Sequence, residues 1–464
     1  MARLHARHGY RRDHWNSRYA IFLALLAVAS AVPLASNRPV WWLLCTALIG
    51  LLGAVYHLHA LKNTPRRAPR VKPLAGYFLI AMIVPVYAVL QAQNLAGLLP
   101  AGTREMARGP ISIVPDASMI GALRFFGYIV LLALVIEVAS GRDRVNLMTR
   151  ILFAGITIQA VWALIALKLL GDVSLWGEKT AYRGMATGSF INRNSLATFL
   201  GFGLVLGAAM AGTCFDRSNR RRMWGGMGTE AALIMMAMFI ILLALLATQS
   251  RLGIFASSVG LLVTVLLSVW RHGALSVRAG AIIGLATLAF VAALILFGQG
   301  AAQRVLFSEG DSAPRLALYR QIIGMIEMRP LTGIGFDGFG PAFEAHRAPP
   351  LNSDLSFQMA HNSYLALWSE LGLIVGTVPP LLLFGVALIC VRRLRGADGF
   401  PANAAAAIGV IVLGAVHSLG DFSLEIPANI YVFLVILGLG VAQRRSRASQ
   451  PATPTDPNLQ GRVA

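Results

Sequence analysis

Charged residues are scarce in this chain of 464 residues. Aspartate, glutamate, lysine and arginine together make up 13% of it, about half the roughly 25% that is usual in soluble domains. Hydrophobic residues make up 56%, and the mean hydropathy is +0.66. Apolar runs fill the chain from Tyr19 to Val441, which excludes a series of soluble domains. The composition therefore predicts an integral membrane protein.

Cysteine and the common metal-binding motifs are also rare. The three cysteines, Cys45, Cys214 and Cys390, lie far apart, and no pair is placed for a disulfide or a cysteine-based metal site. The chain contains no D-x-D and no H-E-x-x-H sequence, and its E-x-D is Glu309-Gly310-Asp311. We therefore expect neither a bound metal nor another cofactor.

Long apolar runs dominate what is present. An apolar helix needs about 20 residues to cross the hydrocarbon core. Runs of this kind predict about twelve transmembrane helices, at 19–35, 40–61, 76–99, 119–139, 147–170, 190–213, 231–248, 252–270, 279–298, 363–390, 403–420 and 427–442. The predicted fold class is all-α integral membrane, with one long outer loop between helices 9 and 10.

Basic residues mark every second connection between these spans. Of the 40 lysines and arginines, 26 lie in seven segments: 1–18, 62–72, 140–150, 214–224, 271–278, 391–398 and the C-terminal tail. Because positive charge is retained on the inner side of a membrane, both termini are predicted to be cytoplasmic. The formal charge of +20 then reflects topology, and its expected partners are anionic membrane lipids and not nucleic acid.

The predicted organisation has five parts. They are a basic cytoplasmic N-terminus (1–18), transmembrane helices 1–9 (19–298), the outer loop (299–362), transmembrane helices 10–12 (363–442) and a cytoplasmic tail (443–464). The tail is rich in Pro, Thr, Gln and Asn and is predicted to be disordered.

Two arginines on the outer side oppose the charge bias. Arg193 lies between Asn192 and Asn194 at the start of span 6, and Arg251 lies in the turn TQSRLG between spans 7 and 8. A single boundary arginine could simply anchor its helix. Two of them, flanked by amide and hydroxyl groups, favour an anion site, because a guanidinium binds phosphate oxygens in a bidentate fork.

The outer loop contains the stretch SAPRLALYRQIIGMIEMRP, which predicts an amphipathic helix that can lie at the membrane interface. Its predicted apolar face consists of residues at three- and four-residue steps: Leu316, Tyr319, Ile323 and Ile326. Arg315 shares a face with Tyr319. Pro330 should end the helix, and TGIGFDGFG should form a glycine-rich turn.

Histidines on the outer side differ in context. His361 opens span 10 in AHNSYLALWSELG, where it is either a cap or, near the arginines, a group that activates a hydroxyl. Glu370 follows about 13 Å further along the helix and is predicted to support the fold. His346 lies in the stretch HRAPP, predicted to be mobile, and His417 lies inside span 11, where a helix–helix hydrogen bond is expected.

Five short blocks resemble the O-antigen ligase and O-antigen polymerase superfamily of polytopic glycosyltransferases. They are GSFINRNSLA, TQSRLG, the RxxxY helix followed by RPLTGIGFDGFG, HNSYLALWSELG and HSLGDFSLEIP, within about 187–430. The resemblance implies a GT-C-type architecture in the bacterial inner membrane with a periplasmic site. It also implies metal-independent transfer of a glycan from undecaprenyl diphosphate to a lipid A-core sugar.

The resemblance also implies roles for single residues. Arg193, Arg251 and Arg315 would bind the diphosphate, His361 would activate the acceptor, and Asp421 would be a supporting carboxylate. Asn192, Asn194, Tyr319 and Asn362 are expected to support the site, although many relatives carry tryptophan where Tyr319 stands. Since nothing indicates a covalent nucleophile, we expect a single displacement with inversion at the anomeric carbon.

Three alternatives remain at this point. A polymerase of the same superfamily would use the same donor with a second lipid-linked glycan as acceptor, and some relatives glycosylate proteins. A 12-helix transporter is disfavoured, because transporters bind near the midplane, whereas the notable charges here lie at one face.

Overall fold

The computed structural model describes residues 2–63, 69–94, 109–139, 141–179, 181–214, 227–272, 312–351, 356–396 and 401–442. These residues form helices, and the one β-bridge among them joins Ser174 and Gly177. In chain order the helices are α1 (Ala2–Ala29), α2 (Pro39–Asn63), α3 (Ala75–Ala92), α4 (Pro115–Val138), α5 (Arg142–Lys168), α6 (Arg193–Cys214), α7 (Met227–Ala247), α8 (Arg251–His272), α9 (Ser312–Met328), α10 (Phe339–His346), α11 (Ser363–Gly376), α12 (Val378–Gly396), α13 (Ala402–His417) and α14 (Pro427–Val441).

The predicted all-helical membrane fold is confirmed. Within the described ranges, α2 to α8 are each long and apolar enough to cross a membrane, and α11 with α12 makes an eighth, broken span. Trp15–Ala29 of α1, together with α13 and α14, are shorter apolar helices that correspond to predicted spans 1, 11 and 12. Predicted span 9 and the tail lie outside the described residues, and the total of twelve stays a prediction.

In the centre of the bundle, α6, α8 and α13 pack against one another, and α14 packs against α13 and α6. Glycines allow the backbones to approach closely, as is common in membrane helices. A Cβ on Gly409 of α13 would lie 2.0 Å from Thr264 Oγ1 of α8, and one on Gly260 would lie 2.7 Å from the Gly409 carbonyl oxygen. This tight packing holds the starts of α6 and α8 in fixed positions.

The prediction of span 10 as one continuous helix was wrong. The chain bends by 70° between α11 and α12, and α11 is itself interrupted at Gly372, where φ is 74°. A Cβ at Gly372 would lie 2.3 Å from the Leu331 carbonyl oxygen. Only glycine therefore fits at this position, both for its backbone conformation and for the space available.

The glycine-rich turn after α9 inserts at this break. Ile334 N donates to Ser369 O (2.9 Å), Gly335 N donates to Glu370 O (3.1 Å), and Leu373 N donates to Pro330 O (2.8 Å). Backbone groups that the interrupted helix leaves unpaired thus find partners in the turn. The carboxylate of Glu370 also accepts from Phe339 N at 3.1 Å, which confirms that Glu370 supports the fold.

Helix α9 ends before Pro330 as predicted. Of its predicted apolar positions, Ile326 is buried and Tyr319 packs against the same cluster, whereas Leu316 and Ile323 are 52% and 45% exposed. The other buried positions are Leu318, Ile322 and Met325. Apolar residues therefore occupy more than one side of this helix. A second correction concerns His346, which ends α10 and does not lie in a loop.

Candidate active site

The starts of α6, α8 and α11 meet the connection 418–426 between α13 and α14. Asn194, on the first turn of α6, joins three of these elements. Its Nδ2 donates to Asp421 Oδ2 (2.8 Å), and its Oδ1 accepts from Ser250 Oγ (2.7 Å). The structure therefore brings together residues that lie 227 positions apart in the sequence.

Arg193 is held at one end of its guanidinium group. Its Nη1 donates to Gln249 O (3.2 Å) and to Met185 Sδ (2.9 Å). The ring of Tyr182 lies against the guanidinium, 5.6 Å from its Cζ. Nε is buried and has no hydrogen-bond partner among the described residues. The bonds of Nη1 therefore fix the orientation of the side chain, and Nε is a buried donor without a partner in the described part of the chain.

The loop that carries Tyr182 and Met185 is closed by a buried lysine. Lys179 Nζ lies 2.6 Å from Asp172 Oδ1 and donates to Met185 O at 2.5 Å. Although burial opposes it, the hydrogen bonds from Lys179 and from the amide of Gly184 hold the pKa of Asp172 below its usual value. Sequence reasoning missed this loop, because no motif marks the pairing of Lys179 with Asp172.

Arg251 and Arg315 are both exposed. The guanidinium of Arg251 has no hydrogen-bond or ion-pair partner in the described part of the chain, and it follows Ser250, which bonds Asn194. The charge of Arg315 acts on the side chains of Tyr319 and His361. The charge of Arg315 also acts on Tyr182, whose ring lies against Arg193, so it reaches both the His361 and the Arg193 parts of the candidate site.

His361 is held in a backbone conformation that is uncommon for a residue with a side chain, with φ at +54°. Tyr319 Oη donates to the His361 carbonyl oxygen at 2.8 Å. The imidazole packs edge-on against Phe422, with ring centroids 5.0 Å apart. Its Nδ1 is buried and has no hydrogen-bond partner among the described residues.

The protonation of His361 depends on its surroundings. Burial lowers the pKa of the imidazole, Asp421 raises it, and Arg315 lowers it, with a net decrease below the usual value. The imidazole is therefore neutral near pH 7 and is able to accept a proton.

Asp421 is fully buried in the connection 418–426. Its Oδ1 accepts a hydrogen bond from Ser423 Oγ, and its Oδ2 accepts the one from Asn194. The carboxylate therefore acts on His361 through space, without a direct hydrogen bond in the described structure. A second nearby histidine, His417, lies 2.5 Å from Thr198 Oγ1 of α6 through its Nδ1, which confirms the predicted helix–helix hydrogen bond.

The remaining two predicted site residues cap helices. Asn192 Oδ1 accepts from Asn194 N at 2.7 Å, at the start of α6. Asn362 is the N-cap of α11, and its Oδ1 accepts from Tyr364 N and Leu365 N. Both amides thus fix the backbone beside the candidate residues, as is typical of asparagine before a helix.

The side chains at the candidate site are mainly guanidinium, amide and imidazole groups. No group of three or more His, Cys, Asp or Glu side chains in the described ranges could hold a metal ion. Glu309 and Asp311, the remaining acidic candidates, lie outside the described residues.

Comparison with known families gives a match on this region. Residues 236–379 match the family model described as O-antigen ligase. The match contains Arg251, Arg315, Tyr319 and His361, whereas Arg193 and Asp421 flank it. No curated protein matches the chain at a significant level. The motifs around His361 and the family match agree, and together they support a relationship to the O-antigen ligase superfamily.

Proposed function

We propose that this protein is a glycosyltransferase that moves a glycan from undecaprenyl diphosphate to a lipid A-core sugar. The observation that carries the proposal is the buried, unpartnered Nδ1 of His361, whose ring packs on Phe422 next to the fully buried Asp421. A base and several cations in one place match the two needs of this reaction. The acceptor hydroxyl must lose a proton, and the departing diphosphate must be stabilised.

Arginines serve the leaving group. A sugar diphosphate needs little help to depart, except that charge develops on its bridging oxygen. Arg193 offers its Nε edge, and Arg251 has no competing acid in the described part of the chain. Arg315 supplies a third positive charge near His361. Because guanidinium groups remain charged at any physiological pH, they neutralise the diphosphate without a metal ion.

The histidine serves the acceptor. In the proposed step, the acceptor oxygen bonds to the anomeric carbon as its proton passes to the His361 imidazole, and the bond from that carbon to the diphosphate oxygen breaks. Asp421 then stabilises the imidazolium, since its charge raises the pKa of His361. One displacement of this kind inverts the anomeric configuration.

The proposed location follows from charge and not from the fold. Under the positive-inside rule, the starts of α6, α8 and α11 face the periplasm, and both termini face the cytoplasm. A periplasmic site has access to a lipid-linked glycan and to lipid A-core, both of which are then on the same side of the inner membrane.

A deletion strain tests the proposal against its nearest rival. If the chain is a ligase, the mutant loses glycan from lipid A-core and keeps polymer on the lipid carrier. Accumulation of single repeat units would instead identify a polymerase, and a change limited to a glycoprotein would identify a protein glycosyltransferase. Complementation with wild type and with His361→Ala, at matched protein levels, links the phenotype to this site.

A further inference from the structure

A closed ring of contacts surrounds His361 and includes a carboxylate to which the proposed chemistry gives no role. The ring of His361 packs on Phe422. The Phe422 carbonyl oxygen accepts from Glu425 N at 2.8 Å, within a short 3-10 turn. Glu425 Oε1 accepts from Ser363 Oγ at 2.6 Å. Ser363 lies two residues after His361, which closes the ring.

Further hydrogen bonds attach the chain that follows His361 to the connection 418–426. Ser363 N donates to Ser418 O at 3.1 Å, and Asn362 Nδ2 donates to Leu419 O at 3.0 Å. These bonds fix the main chain after His361 to the first half of the connection 418–426. The Ser363 hydroxyl fixes it to the rest of the connection, because its Oγ donates to Glu425 Oε1 at 2.6 Å and, more weakly, to the Asp421 carbonyl oxygen at 3.4 Å.

A positive φ at a residue with a side chain is strained and persists only where the surroundings hold it. His361 has φ of +54°. The Tyr319 hydroxyl holds its carbonyl oxygen, and the ring of contacts holds the chain on its other side. Release of one side would let the backbone relax and would move the imidazole relative to Asp421.

We propose that Glu425 is a positioning residue for His361, which it holds against Phe422 and Asp421 by accepting the hydrogen bond from Ser363. This inference rests on the proposed function, because it assigns Glu425 a role through the base of that reaction. Glu425 touches neither substrate in this view. Its removal should therefore lower the turnover number and leave donor binding intact.

Two substitutions break the same bond from opposite sides. Glu425→Ala removes the acceptor, and Ser363→Ala removes the donor with a smaller change in volume. Glu425→Gln keeps an acceptor oxygen. Burial raises the pKa of Glu425 to about 7, so the neutral carboxyl that glutamine resembles is already populated near neutral pH. Glu230→Ala is the matched control. Glu230 is the exposed partner of Arg150 and lies at the start of α7, whereas the candidate site lies beyond the other end of that helix.

The experiment uses the purified full-length chain in vesicles with a defined undecaprenyl diphosphate-linked glycan and lipid A-core. It measures donor-binding sites per protein, the donor dissociation constant and the turnover number per binding site. A displacement of about 1 Å costs about 100-fold in rate, so we expect a loss of about 10- to 100-fold in Glu425→Ala and Ser363→Ala. Donor affinity should stay within about twofold, and Glu425→Gln should stay within about threefold of wild type. A role in folding alone would lower the number of donor sites and not the turnover at each site.

The double variants complete the test. Ser363→Ala with Glu425→Ala should be no worse than Ser363→Ala alone, because Ser363→Ala already removes the bond that Glu425→Ala breaks. In a His361→Ala background, Glu425→Ala should change the residual rate by less than about twofold. Three results would each overturn the proposal. The first is a turnover number of Glu425→Ala within threefold of wild type, and the second is a double variant in which the two losses multiply. The third is a Glu425→Gln enzyme as slow as Glu425→Ala. Absence of transfer by wild type, or full activity in His361→Ala, would instead refute the proposed function.

Discussion

Asn194→Ala should destabilise the whole site by an amount that the structure allows us to work out. The substitution removes the hydrogen bond to the buried carboxylate of Asp421 and the one from Ser250. A hydrogen bond to a charged group contributes about 1.5–3 kcal/mol, and a neutral one contributes about 1 kcal/mol. The expected loss is therefore about 2.5–4 kcal/mol.

This loss can be read as a melting temperature. Unfolding entropy of about 2.1 cal/mol/K per residue, over a chain of this length, converts 3 kcal/mol into a decrease of about 3 °C. Cys45 and Cys390 are buried free thiols, so a thiol-reactive fluorescent dye reports their exposure as the protein unfolds. Asn146→Ala, at an exposed position on α5, is the matched control and should melt within about 1 °C of wild type.

Asn194→Asp distinguishes a lost bond from a loss of packing. The new carboxyl would face Asp421 across the same short contact, and the two groups would have to share a proton. A shared proton raises the folded-state pKa above the unfolded value, so its stabilisation is present at low pH and is lost as pH rises. Relative to wild type, this variant should melt higher at pH 5 than at pH 8. An Asn194→Ala protein that melts within 1 °C of wild type would refute the reasoning.

Three further predictions concern the chemistry. Arg251→Lys should recover less than about a tenth of the activity that Arg251→Ala loses, since lysine keeps the charge without the bidentate fork; full activity in an initial-rate assay would exclude that fork. Transfer should persist in EDTA, and a loss that Mg²⁺ restores would return Glu309 and Asp311 to consideration. The acid limb of kcat/KM should lie below pH 6.5, because burial lowers the pKa of His361. In Arg315→Gln that limb should move to higher pH, because the positive charge of Arg315 lowers the pKa of His361 in the wild type. An unmoved limb would show that the titrating group is not His361 under the influence of Arg315.

Hydropathy predicted most of the bundle, because a membrane-crossing helix is defined by the composition of its own segment. The break in span 10 could not be predicted in this way. Gly372 lies in an apolar run, and what interrupts the helix there is the turn 330–338, which supplies partners for the freed backbone groups. Periodicity selected Ile326 but not Ile322 on the buried side of α9, since Leu316 and Ile322 are equally apolar and only tertiary contacts distinguish them.

The candidate site shows the same division. Motifs located Arg193, Asn194 and His361, because polar groups at helix starts stand out in an apolar chain. Their mutual arrangement depends on contacts across hundreds of residues, such as the one between Asn194 and Asp421. No pattern in the sequence marks the Ser363–Glu425 bond or the stacking of Tyr182 on Arg193.

If His361 activates the acceptor of a glycan transfer, its removal should abolish transfer and leave donor binding intact. Purified wild type and His361→Ala are placed in vesicles with an undecaprenyl diphosphate-linked glycan and lipid A-core, in EDTA, and both transfer and donor binding are measured. We expect transfer by wild type and a loss of about 10²–10⁴-fold in His361→Ala, with donor affinity unchanged within about twofold. A His361→Ala enzyme within a few-fold of wild type, or a glycosyl–enzyme adduct in the wild type, would contradict this mechanism.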